Sequence, residues 1–390
     1  MTDNKLPLRA KVATSVSKTA AALSRAAGRG DGSVIGGWIG LKIDPDLLAH
    51  LAAGRAIALV SGTNGKTTTT RLTAAAMGVL GEVATNSLGA NMPTGHTSAL
   101  AKAGHTTYAV LEVDEHYLNQ VVQATHPKVI ALLNLSRDQL DRAKEVAMMA
   151  SLWRDALRGV DTHVIANADD PMVTWAARDC VSVTWVASGQ RWHDDSWVCP
   201  ECGAHRARGR RVVVRGRRPA PPHPAWSVAD GAVVDPAGVA HPVTLQLPGR
   251  VNVANAATAL AVATQFGVRI PDALPRLSSV ASIAGRYATV ERDGRVIRLL
   301  LAKNPAGWLE AFDMAEDAPT LLGINARDPD GLDTSWLYDV DFSRCAAAGC
   351  SSPATGRWTW PSGWRSTRSR SSTSPRSTGR WPPCRPAGSR

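Results

Sequence analysis

A chain of 390 residues, 44% of them apolar, can build two or three domains around an ordinary hydrophobic core. It holds no apolar run of about 18 residues to span a bilayer and no secretory signal, and its six cysteines are too sparse for a disulfide scaffold. Neither a membrane-spanning nor a disulfide-stapled secreted protein is expected, and the sequence reads as cytoplasmic. The net charge of +11 would suit a nucleic-acid binder, but nine arginines lie in 344–390 and seven in 206–218, both stretches without an acid. The remainder is mildly acidic, so no nucleic-acid partner is expected; a nucleic-acid-binding ATPase is the weakest alternative reading.

Residues 1–30 hold an Ala-rich helix. GRGDGSVIGGWIGLKIDP, with its glycines and Pro45, reads as loop, and Leu47 to Leu51 as a short helix. Ala56 to Val60 then form a buried strand, followed by a short loop and by Lys66 with a run of threonines opening a helix through Leu80. This is a phosphate cradle of Gly62, Thr63, Asn64, Gly65, Lys66, Thr67 and Thr68. Glycines let N–H groups turn towards an anion, the helix start adds its positive dipole end, Lys66 adds a point charge, and the Thr67 hydroxyl suits Mg²⁺. The general pattern would place glycine at Val60, so the loop reads as GTNGKTT, and a nucleoside triphosphate is its expected ligand.

NSLGANMPTG, Asn86 to Gly95, reads as a turn-rich loop, either a substrate contact or a plain connector. The strand Tyr108 to Leu111 ends in Glu112, Asp114 and Glu115. Carboxyl ends of parallel strands face the ligand crevice, so a carboxylate there can hold Mg²⁺, and Glu112 is the expected one. A third strand, Val129 to Leu133, runs into NLSRDQLDR. Asn134, Asp138 and Asp141 could cluster at the crevice, or Ser136 or Asp138 could cap a helix; spacing leaves both open. A helix through Trp153 to Leu157 and a strand His163 to Ala166 lead into NADDP at 167–171. Alternating strands and helices make an α/β doubly wound parallel sheet. Cys199 and Cys202, in WVCPECG, make half of a Zn²⁺ site, which His205 and His223 could supplement. Cys180, in an apolar run, reads as a buried thiol.

GTNGKTT, the strand ending in Glu112, NLSRDQLDR and NADDP together resemble the ATP-dependent Mur ligases, which activate a carboxylate as an acyl phosphate for attack by an amine. LPGRVNVANAATAL resembles that family's asparagine-bearing helix near the nucleotide, and Gly285-Arg286 its hinge arginine, so the resemblance implies nucleotide-binding roles for Asn252, Asn255 and Arg286. Within the family, Gln139, the Cys199–Cys202 pair, LAKNPAGWLEAF at 301–312 and DGLDTSWLYDVDF at 330–342 resemble the MurT-type synthetase subunits of lipid II isoglutaminyl synthases. That resemblance implies ATP- and Mg²⁺-dependent amidation of the D-glutamate α-carboxylate in the lipid II stem, at the inner face of the membrane, with ammonia from a GatD-type glutaminase partner. It implies Lys66, Glu112 and Asp339 as catalytic residues, the last completing the partner's site, with Asp330, Asp333 and Asp341 as neighbouring competitors. A folylpolyglutamate synthase-like amide ligase is the alternative. Arg154 stands where many Mur ligases carry a carbamylated lysine, so no carbamylated bridge is expected.

The implied organisation is an N-terminal helical segment (1–33), a Mur ligase-type central P-loop ATPase domain (34–282) with a degraded zinc-ribbon insertion (188–230), and a partial α/β C-terminal domain (283–343). Likeness is expected to stop near Phe342. From Ala346 to Arg390 the chain is Ser, Arg, Pro, Gly, Thr, Ala and Cys with four tryptophans, a composition that builds no core and reads as a disordered tail. We read this tail, and the Arg-rich stretch near 206–224, as out-of-frame translation of a GC-rich gene; with codons GTG GTC GTG and a following C, the next frame across Val212–Val214 would read Trp-Ser-Cys, the start of a second cysteine pair. Resequencing codons 340–350 tests it, and an intact frame with no better one beside it contradicts it.

Overall fold

The central strand, β1 (Ala56–Ser61), is the apolar run itself, buried on both faces because parallel neighbours flank it and helices cover it. The computed structural model describes residues 6–28, 32–86, 90–137, 146–196, 200, 223–283, 287–316, 318–324 and 334–342. Among them, β1 joins β2 (Val83–Thr85), β3 (Tyr108–Val113), β4 (Val129–Leu132), β5 (His163–Asn167), β6 (Val183–Ala187), β7 (Trp226–Ala229), β8 (Ala232–Val234) and β9 (Ala240–Pro242) in one sheet. Its order is β2-β3-β1-β4-β5-β6-β7-β8-β9, parallel as far as β7 and antiparallel beyond. The doubly wound sheet expected from the sequence is thus present, extended by an antiparallel edge.

Alternation along the strands divides the core. Ile57, Leu59, Leu111 and Leu132 face one helical layer, while Ala58, Val60, Val110 and Ala131 face the other, which contains the helices Lys66–Met77 and Arg250–Gln265. Glu112 lies in register with Val60, so it shares the face of the cradle helix.

Three expectations need correction. GGWIG does not form a loop: Ser33–Ile43 is a helix, in which Gly36 and Gly37 are where other backbone comes closest and Gly40 is where the Leu47 side chain does. A Cβ on Gly36 would lie 2.8 Å from the Ser17 carbonyl oxygen, and one on Gly37 would strike Thr94. The expected loop 86–95 gives way at Pro93, the first residue of a helix to Lys102, a position where proline's missing N–H costs nothing. The cradle helix ends at Met77 rather than Leu80, with Gly78 following.

Beyond the sheet, β10 (Tyr287–Arg292) and β11 (Arg295–Leu300) form a hairpin whose turn, Asp293-Gly294, has positive φ at both residues. The helix Pro305–Ala315 follows, capped by the Asn304 side chain, which accepts from the Gly307 N–H at 2.8 Å. By contacts the described residues form two units, 6–316 with 334–341, and 318–324 with Phe342. Every residue of the site below belongs to the first. Among the described residues, no helix is long and apolar enough to cross a membrane.

Candidate active site

The loop between β1 and the Lys66–Met77 helix turns on two glycines. Gly62 has φ +149° and Gly65 φ +85°, and a Cβ on Gly62 would press on the Leu133 Cβ at 2.8 Å. The loop is braced from the end of β4. Asn64 N–H donates to Asn134 Oδ1 at 2.9 Å while Asn134 Nδ2 donates to the Asn64 carbonyl at 2.9 Å. The Thr63 N–H donates to the Asn134 carbonyl, and the Ser136 N–H to Thr63 Oγ1 at 3.0 Å. Asn134 and Ser136 thus lie against the phosphate loop; Asp138, Gln139 and Asp141, and with them the start of any capped helix, lie outside the described residues.

Lys66 is buried. Its Nζ donates to the Gly62 carbonyl at 2.6 Å and to Glu115 Oε2 at 2.9 Å, and the Glu115 carboxylate is itself buried. Burial pushes the Glu115 carboxyl up, but the charge and hydrogen bond of Lys66, with Lys303 farther off, outweigh it and hold the group below its ordinary range. The sequence names Glu115 only as one of three carboxylates at a strand end. What selects it is the short turn Glu115–Tyr117, which follows β3 directly.

Glu112 sits within β3 rather than after it, and its backbone is pinned. Its N–H donates to Asn86 Oδ1 at 2.8 Å, and its carbonyl accepts from Asn86 Nδ2 at 2.8 Å and from His96 Nε2 at 2.7 Å. A carbonyl only accepts, so His96 carries its proton on Nε2. Burial lowers the His96 pKa to about 4, the Glu112 carbonyl bond opposing it.

From the Arg250–Gln265 helix, Asn255 reaches the cradle and Asn252 holds Asn255 from behind. Thr69 Oγ1 donates to Asn255 Oδ1 at 3.2 Å, Asn255 Nδ2 to Asn252 Oδ1 at 3.2 Å, and Asn252 Nδ2 to the Pro248 carbonyl at 2.6 Å. A cleft opens beside them, lined by Asn64, Gly65, Asn134, Asn167, Gln190 and Arg250 among others. The NADDP segment supports its far wall. Asn167 Nδ2 donates to Gln190 Oε1, and Asp170, fully buried, caps the helix Pro171–Ala177 while accepting from the Leu135 N–H at 2.9 Å. Burial raises the Asp170 pKa against those hydrogen bonds.

Asp339 stands apart from the cradle, on the turn Ser335–Asp339, half-exposed and paired through Oδ2 with Arg137 Nη2 at 3.0 Å. Arg137 also holds Asp195 through Nε at 2.5 Å, and Trp192 Nε1 donates to the same carboxylate. Because Arg137 follows Ser136, a short run of chain joins Asp339 to the phosphate loop. No sequence signal announced this pair. Arg154 donates to the Trp175 carbonyl at 2.6 Å and pairs with Asp179, a role in packing between two helices. Arg286, Cys199, Cys202, His205, Asp330 and Asp333 lie outside the described residues.

The cradle meets the requirements of a triphosphate. Thr67 and Thr68 stand in the first helical turn, whose N–H groups have no intrahelical partner, and no acidic residue lies in that turn to repel an anion. Mg²⁺ takes only one or two protein carboxylates or hydroxyls and completes its shell from phosphates and water; Thr67 stands in the first turn of the cradle helix and Glu112 on the sheet face which that helix covers. Among the described residues there is no larger His, Cys, Asp or Glu group that could hold a metal.

Solved structures with this fold include MurF from Acinetobacter baumannii (TM-score 0.58, 16% identity, 80% of this chain and 70% of that one). Folylpolyglutamate synthase from Mycobacterium tuberculosis, complexed with ADP and AMPPCP, is another (TM-score 0.55, 16% identity, 79% and 83%). The Mur ligase middle-domain model matches residues 60–263, more than half of the sequence, and the chain belongs to the Mur ligase family. Within that family it is of the MurT type. The MurT ligase C-terminal model matches residues 301–356, and the MurT subunit of lipid II isoglutaminyl synthase (glutamine-hydrolyzing) from Streptococcus pneumoniae is 30% identical over 359 residues, covering 81% of this chain and 77% of its own. The MurT subunit from Staphylococcus aureus strain COL is 29% identical over 365 residues, covering 86% and 82%. The C-terminal match runs past Phe342, where the likeness was expected to stop.

Proposed function

We propose that this chain is the synthetase half of a glutamine-dependent amidotransferase that converts the α-carboxylate of D-glutamate in the lipid II stem to its amide, giving D-isoglutamine. The observation that carries the reading is the presence, on one chain, of a braced phosphate cradle with a buried lysine and of a MurT-type C-terminal region. The folylpolyglutamate synthase likeness supports the fold alone. ATP with Mg²⁺ supplies the phosphoryl group that turns the carboxylate into an acyl phosphate, which ammonia then attacks.

The chain's own residues prepare that chemistry. The first-turn N–H groups of Lys66, Thr67 and Thr68 lie at the positive end of the helix dipole and would bind phosphate oxygens, and Lys66 would add charge where the transferring group develops it. Lys66 Nζ and the Glu115 carboxylate form a buried ion pair 2.9 Å apart, which matches the charge of the lysine within the cradle. Thr67 and Glu112 would hold Mg²⁺, Glu112 being fixed by Asn86 and His96. Asn252, Asn255 and Arg286 would border the nucleotide. Asp339 would work with the active site of a GatD-type glutaminase, the source of ammonia, and Arg137 sets its resting position. Cys199 and Cys202 are assigned to a Zn²⁺ insertion.

The test is ATP- and glutamine-dependent amidation of lipid II by the chain mixed with a GatD-type subunit, read by mass spectrometry. The expected result is the small mass decrease of a carboxyl-to-amide exchange, lost in Lys66→Ala. Amidation that proceeds without ATP, or unchanged in Lys66→Ala, overturns the reading.

A further inference from the structure

The two N-terminal helices, Leu8–Ala26 and Ser33–Ile43, are packed the wrong way round for a protein that meets only water. Small residues face inwards: Ala10, Ala13, Ser17 and Ala21 on the first helix, and Gly36, Gly37 and Gly40 on the second. Large apolar residues face outwards. On the first helix Leu8 is 80% exposed and Leu23 66%, with Val12 and Val16 between them; on the second, Val34, Ile35 and Trp38 are exposed. Leu41 and Ile43, which pack on the core, are the exceptions.

Helical geometry orders the first set. At about 100° per residue, Leu8, Val12, Val16 and Leu23 fall within one quadrant opposite the buried alanines. Lys11, Lys18 and Arg25 recur at seven-residue spacing and make a row along one edge of that stripe, with Arg9 at the other. Together the two helices carry five basic residues and no acidic one. Lys42 Nζ lies 5.7 Å from the centre of the exposed Trp38 ring. An apolar stripe edged by lysines, beside an exposed Trp–Lys pair, has the chemistry of a helix lying in a bilayer interface: apolar side chains enter the acyl boundary, tryptophan sits at headgroup depth, and basic residues meet lipid phosphates.

We propose that this helix pair docks the protein on the surface of a membrane rich in anionic phospholipid. The charge decides the occupant, since a glutaminase subunit or a second copy of the chain would have to present a wholly acidic rim to match it. The inference concerns binding and stands apart from the reaction proposed above. For a lipid-linked substrate, its consequence would be a catalytic cleft kept close to the bilayer.

The experiment is co-sedimentation of the full chain, alone and with a GatD-type subunit, with vesicles of equal parts phosphatidylglycerol and phosphatidylcholine or of phosphatidylcholine alone. The chain should sediment with the anionic vesicles, less so in high salt, and only weakly with neutral ones. Lys11→Glu with Lys18→Glu should lower partitioning by about tenfold or more, and Val16→Gln with Leu23→Gln should lower it too, all without change in the thermal midpoint, because these side chains are exposed. Equal sedimentation with both vesicle types, or variants that bind as the parent does, would overturn the proposal. So would variants that lose the glutaminase complex while that complex, formed by the parent chain, ignores vesicles, for then the face belongs to the partner.

Discussion

Lys66 and Glu115 are the most consequential residue pair in the molecule. Both are buried and 2.9 Å apart, so each is tolerated only because of the other. Glu115→Gln should therefore leave an unmatched buried ammonium, lowering stability by about 3 kcal/mol in urea unfolding. The sign with pH follows from the depressed carboxyl: its contribution is complete above the ordinary carboxylate range and is lost as pH falls below that range. Stability unchanged in Glu115→Gln would contradict the pairing. The sequence revealed Lys66 through its spacing from glycine and threonine, but Glu115, 49 residues away, depends on a turn that spacing cannot show. The contact between Arg137 and Asp339, separated by 202 residues, was equally invisible.

At the scale of elements, β1, β3, β4 and β5 were legible because each is a short apolar run buried on both faces, whereas the three-residue β2 was not. Ser33–Ile43 was not, because glycine signals loop by its backbone freedom and helix packing by its lack of a side chain, and only the partner surface decides which applies. The helix Pro93–Lys102 was hidden behind the same turn-rich composition, yet it places His96 beneath β3. Below pH 6.5 the unfolded chain binds a proton at His96 that the folded chain refuses until pH falls to about 4. Across that window stability should fall by up to about 1.4 kcal/mol per pH unit and then flatten. His96→Gln, which keeps a donor for the Glu112 carbonyl, should remove that slope from the difference between variant and parent in denaturation series at several pH values. Identical slopes in the two proteins would contradict a neutral, buried His96.

For the whole molecule, a parallel sheet and a phosphate cradle narrow the chemistry without naming the substrate. Mur ligases and folylpolyglutamate synthases share that frame, and what separates them here is the C-terminal region matched at 301–356. The proposed reaction activates a carboxylate by phosphoryl transfer and then captures it with ammonia. It is tested most directly by labelling both oxygens of the D-glutamate α-carboxyl of lipid II with heavy oxygen and analysing the products of amidation with ATP, glutamine and the GatD-type subunit. The expected result is one labelled oxygen in the released phosphate and one in the new amide; amide formation with unlabelled phosphate would contradict that reaction.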